Sequence, residues 1–137
     1  MHHMSTNILD CIYSKQDWLA AAKKVNVDGM IRFKAFDASD MPFESNWFDG
    51  IFFLGSLHHI PESDRKKVMK ECVRTSTVDG AICFFEPNKI LIEIIRRNDP
   101  SHPDAADPGN YVHELQLSTR KIMGKLFDAF VFEKQAI

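Results

Sequence analysis

Side chains able to do acid–base or ligand chemistry fall at a few places in this chain. His58 and His59 stand side by side at the end of an apolar run. A histidine titrates near neutrality, so either is a candidate general base for taking a proton from a nucleophile. Adjacent side chains at a strand-to-helix junction point different ways, so one at most is expected to face a site. The plainer role for both is packing with local hydrogen bonds, and neither has a partner at two-ligand metal spacing. Glu86 closes a second apolar run, ahead of Pro87 and Asn88, and is a candidate to touch a substrate or to shape that turn. Asp37 follows a third stretch, where turn formation or helix capping is the plainer reading. His102, Asp104, Asp107 and His113 could gather a metal, but their surroundings read as a solvated loop. Arg96-Arg97 reads as the solvated end of a helix, complementing its dipole.

These residues need elements to hold them. Residues 8–13 are β-branched and aromatic in type and read as a strand. Ser14 is placed to cap a helix, with Asp17 at the third helical position. Trp18, Ala21, Ala22 and Val25 share one face of that helix, and Asp28-Gly29 is expected to end it. Residues 30–36 alternate, which predicts a strand with one wet face. Residues 50–54 and 81–85 are continuous apolar runs, as in strands covered on both faces. Between them, 61–76 reads as a helix burying Val68, Met69, Cys72 and Val73. A further helix over 89–97 leads into an irregular loop over 98–113, which holds three prolines and a glycine. Ser118 is expected to cap a last helix carrying Ile122, Met123, Leu126, Phe127 and Phe130. Residues 131–137 read as a closing strand. Strand and helix in alternation define an α/β fold: a Rossmann-like open, mostly parallel sheet of about five strands, with helices on both faces.

The chain has 137 residues, 45% of them hydrophobic and 26% charged, which suits a single domain over 1–137 with 1–7 as an N-terminal extension. Ordinary glycine and proline content excludes collagen-like and disordered classes. No apolar run approaches the length of a membrane span, and the start carries no signal-peptide pattern. Seventeen basic against nineteen acidic residues, without clusters, argue against a nucleic-acid surface. Cys11, Cys72 and Cys83 are odd in number and sit in apolar stretches, as buried thiols of a cytoplasmic protein do.

Three stretches carry a resemblance. Asp37-Ala38-Ser39-Asp40-Met41-Pro42-Phe43 matches a "D-A-x-x-L-P-F" segment. Trp47-Phe48-Asp49-Gly50-Ile51 and Leu57-His58-His59-Ile60 match "S-F-D-x-V" and "L-H-H-I", which flank a buried strand. Gly80-Ala81-Ile82-Cys83-Phe84-Phe85-Glu86-Pro87-Asn88 is similar to "G-G-x-L-x-x-x-E-P-N". In this order and spacing they resemble the class I S-adenosylmethionine-dependent methyltransferases of small molecules. The resemblance implies S-adenosylmethionine as cofactor and a small-molecule ligand. It places Asp37 and Ala38 against the adenine, and Leu54 and Gly55 along the wall of the cofactor site.

The sequence also departs from that family. The family opens with a strand and a glycine-rich loop that approaches the cofactor closely, whereas the first glycine here is Gly29. Ile12 falls where the family has a ribose-binding acid, and Asp10 lies two residues earlier. The final antiparallel strand is expected to be absent as well. Without the family's central strand, 8–13 must pair directly with 50–54, or a second chain must complete the open edges. Self-association as a dimer is therefore expected. The cofactor site is expected to be incomplete, giving an inactive binding or assembly module. The other reading is a small active methyltransferase whose site is completed by oligomerisation.

Overall fold

The computed structural model describes residues 15–135. The strand expected over 8–13, the Ser14 cap, Asp10, Ile12 and Cys11 lie outside the described residues. Helix α1 spans Lys15–Lys24, with Asp17 in its first turn and Lys23 and Lys24 in its last, each complementing the helix dipole. Of its apolar stripe only Ala22 is buried; Trp18 and Val25 are exposed. The helix ends at Asn26, whose φ of 59° lies in the left-handed region that asparagine tolerates. Asp28-Gly29, expected to end it, instead opens a short 3-10 turn, Asp28–Met30.

The strand expected over 30–36 is not formed: the stretch has no strand ladder, and only Asp37 has bridge geometry. Alternation describes which side chains face inward, but a strand also needs a neighbouring edge to bond to, and no described strand pairs with this stretch. The stretch is anchored through rings instead. Phe36 meets Phe43 edge-on at 5.1 Å, and Phe43 meets Phe48 at 4.9 Å.

Strand β1 (Phe48–Leu54) is followed by helix α2 (Glu62–Thr75), strand β2 (Ser76–Pro87) and helix α3 (Lys89–Arg96). Strands β3 (Leu117–Ile122) and β4 (Phe127–Lys134) complete the set. The four strands lie in the order β1-β2-β4-β3. β1 and β2 are parallel, joined through α2, while β4 is antiparallel to both β2 and β3. The fold is thus an α/β, Rossmann-like open sheet, and among the described residues it is mixed rather than mostly parallel.

The antiparallel part comes from a hairpin where a helix from Ser118 was expected. Ile122, Met123, Leu126, Phe127 and Phe130 fit a helical stripe, but they divide between two strands and a turn. Gly124 makes that turn: a Cβ there would collide with the carbonyl oxygen of Phe127. The antiparallel strand expected to be absent is therefore present as β4, and it sits inside the sheet rather than at its edge.

Register fixes which side chains share a face. Phe53, Phe84 and Phe130 form one row, and Ile51, Ile82 and Phe132 the next. Phe53 and Phe84 stack at 4.4 Å, and the row packs with Val68, Met69 and Cys72 of α2 into the core. The opposite face carries the row Leu54, Phe85, Ala129 and Ile122, and beside it Phe52, Cys83 and Val131. That face is open at both sides: Phe52 is 63% exposed, Leu54 60% and Ile122 54%. Helix α2 covers the first of these two faces. No described helix is long and apolar enough to cross a membrane.

Candidate functional site

The functional groups gather where β1 and β2 end in parallel. Gly55 leaves β1 with a φ of 63°, a conformation in which a side chain is strained, while its N–H still bonds Phe85 O at 2.7 Å. The chain then forms a 3-10 turn, Leu57–His59, that buries Leu57 and His58. Glu86, one residue before β2 ends, is 1% exposed. Its Oε1 accepts from the backbone N–H of His58 at 2.8 Å and lies 3.2 Å from His58 Nδ1. One carboxylate oxygen therefore holds both the turn and the ring orientation. Glu86 Oε2 is buried without a hydrogen-bond partner among the described residues. Glu86 is thus a positioning residue. Asn88 completes the motif by accepting from Leu91 N at the start of α3 and donating to Lys125 O in the hairpin turn.

The 98–113 segment folds back over this turn. Arg96 in α3 donates from Nε and Nη2 to His102 O, at 2.9 and 2.7 Å, and pairs with Asp104. This differs from the free helix end expected of it. Farther along, Arg65 of α2 donates to Ile60 O and to Tyr111 Oη, at 2.9 and 2.8 Å. Two arginines thereby fix both ends of the segment, whose Ala106, Pro108 and Val112 are buried.

His102 is brought against the histidine pair as a result. His58 Nε2 and His102 Nε2 are 3.2 Å apart, and the ring of His59 is 4.1 Å from that of His58 and 5.0 Å from that of His102, centroid to centroid. The ligand atoms of all three lie within 4.8 Å of one another. Burial, together with the neighbouring imidazoles of His58 and His102, holds the His59 pKa down to about 4. His59 is therefore neutral at physiological pH. Both adjacent histidines face the same place, contrary to the expectation that one at most would. Of the four loop residues considered as ligands, the cluster takes His102 alone. No spacing along the chain signals it, because the third ring comes from 43 positions beyond His59 and is held there through the Arg96 contact.

The residues expected at the cofactor are placed as follows. Asp37 Oδ1 accepts from Ser39 N at 2.9 Å and from Ser39 Oγ at 2.7 Å, which makes an Asx-turn. Ala38 is fully buried in the core, and Met41 is tied to α2 through Glu71. Leu54 stands exposed at the end of β1 beside Gly55. A cavity of about 400 Å³ opens between β2, α3 and the hairpin and is lined by Glu86, Asn88, Ala106, Lys121 and Phe130 among others. It touches the histidine cluster through Glu86 and is lined by none of Asp37, Ala38, Leu54 and Gly55.

An open α/β sheet whose polar groups collect beyond parallel strand ends belongs to the class that binds ligands at that end. The sequence matches the family described as "Methyltransferase domain" over residues 4–84. The chain belongs to that methyltransferase family. A solved protein of Pyrococcus horikoshii is similar in fold, at 15% identity and a TM-score of 0.64, covering 88% of this chain and 66% of its own. Geranyl diphosphate C-methyltransferase of Streptomyces coelicolor, solved with Mg2+, geranyl diphosphate and S-adenosyl-L-homocysteine, is similar at 8% identity and 0.64, covering 90% and 61%. An O-methyltransferase family protein of Burkholderia thailandensis is similar at 10% identity and 0.72, covering 91% and 42%. The chain thus spans less than two thirds of the length of these proteins.

Proposed function

We propose that these 137 residues form a methyltransferase-family module that carries part of an S-adenosylmethionine site, transfers no methyl group by itself, and assembles with a second copy of the chain. The observation that carries this reading is the open sheet face. Leu54, which the resemblance sets against the cofactor, stands 60% exposed in an apolar row that runs across all four strands to Ile122. Contiguous apolar surface of this kind marks an interaction site. A cofactor wall left open on one side also needs its second wall from elsewhere. Asp37, Ala38, Leu54 and Gly55 are assigned to the adenine and apolar side of that half-site. His58 and His59 are assigned no proton transfer in this reading. The buried thiols of Cys72 and Cys83, both pushed up in pKa by burial, suit a reducing, cytoplasmic setting.

The assembly is tested by light scattering on the full chain and on a Phe52→Glu/Leu54→Lys variant. These side chains project from the face without supporting the core, so the variant is expected to fold. Dimeric mass in the parent that falls to the monomer in the variant supports the reading. A monomeric parent at the highest concentration reached contradicts it.

A further inference from the structure

We propose that His58, His59 and His102 form a binding site for a first-row divalent metal ion of the zinc type. Three features converge on it. First, the ring atoms able to ligate all lie within 4.8 Å of one another. The 3.2 Å between His58 Nε2 and His102 Nε2 fits two ligands of one tetrahedral ion: bonds of about 2.0–2.1 Å to nitrogen put neighbouring ligand atoms roughly 3.4 Å apart.

Second, the far side of each of these two rings faces a carboxylate. His58 Nδ1 lies 3.2 Å from Glu86 Oε1, and His102 Nδ1 lies 3.5 Å from Asp99 Oδ2. A carboxylate at Nδ1 draws the ring proton there and leaves a lone pair on Nε2, the arrangement that supports histidine ligands at metal centres. Two such lone pairs 3.2 Å apart repel one another, and a cation between them turns that repulsion into coordination.

Third, the cluster is built rather than incidental. Buried Glu86 orients His58 through both its backbone and its ring, and Arg96 holds the His102 carbonyl with two donors. Imidazole ligands suit zinc, copper, iron and nickel rather than magnesium or calcium. Three protein ligands leave a fourth position for water or for an oxygen of a small ligand. The cluster stands at the ligand-binding end of the sheet, but its metal affinity does not depend on how the cofactor reading fares.

The test is calorimetric titration with Zn2+, without S-adenosylmethionine. It uses a parent in which His2→Ala and His3→Ala remove the other adjacent histidine pair of the sequence. One site per chain is expected. His102→Ala and His59→Ala should each weaken binding at least tenfold, and Glu86→Gln by roughly 10–100-fold through the orientation of His58. His59 is partly exposed, so its variant keeps the test meaningful if His102→Ala loosens the loop. Co2+ substitution should give the visible absorption of a tetrahedral nitrogen site. No Zn2+ binding in the parent, or unchanged binding in both histidine variants, would overturn the proposal.

Discussion

Glu86 does its work through a single oxygen. That atom satisfies the His58 amide and orients its ring in a place from which water is excluded, so its removal strands a buried donor. Glu86→Ala is expected to lower the unfolding free energy by about 1–3 kcal/mol. Glu86→Gln, which keeps an acceptor oxygen, should cost less. Urea unfolding of the two variants measures the difference, and equal losses would show that the hydrogen bonds to His58 contribute nothing. The Glu86-Pro87-Asn88 motif was legible in the sequence as a strand end, and its three residues hold the turn, end the strand and cap α3. Asp37 was legible too, as a turn-forming aspartate closed on Ser39. The meeting of His59 with His102 was not, because it is made by tertiary contacts through Arg96 rather than by any spacing along the chain.

Among the elements, the segment after Asp37 depends on α2. Glu71 accepts from Met41 N at 2.7 Å and pairs with Arg74, which in turn donates to the carbonyls of Met41 and Phe43. The Arg74 guanidinium and the Met41 amide hold the Glu71 carboxyl below its ordinary 4.5. A carboxyl depressed on folding contributes stability that is present above about pH 4.5 and is lost as the pH falls through the folded value. Unfolding followed from pH 6 downward should show this loss, and Glu71→Gln should be less stable at pH 6 yet lose less on acidification. An identical pH slope in both proteins would contradict the clamp. The helices over 62–75 and 89–96 and the two parallel strands were readable from periodicity and apolar runs. The hairpin was not. Its apolar residues satisfy helical and alternating patterns alike, and the deciding signal was Gly124, a glycine in mid-pattern that marks a turn. The stretch over 30–36 failed in the other direction, since alternation predicts facing and says nothing of a pairing partner.

At the scale of the whole molecule, the sheet has one face packed against α2, while among the described residues the other carries exposed apolar side chains at Phe52, Leu54 and Ile122. The order β1-β2-β4-β3 leaves β1 with one strand neighbour among the described residues. The continuous apolar runs in β1 and β2 predicted cover on both faces, and that prediction describes a more completely covered sheet than the one seen. Class and family were therefore legible, while the cofactor site was legible only as scattered motifs. A cofactor site is a property of walls that face each other, and Leu54 has no wall opposite it among the described residues. Calorimetric titration of S-adenosylmethionine into the full chain, with Asp37→Ala as the comparison, tests the partial site most directly. The account predicts no measurable heat, or a Kd weaker than about 100 μM, which is roughly 5.5 kcal/mol. A tighter affinity that disappears in Asp37→Ala would contradict it and establish a working cofactor site in these 137 residues.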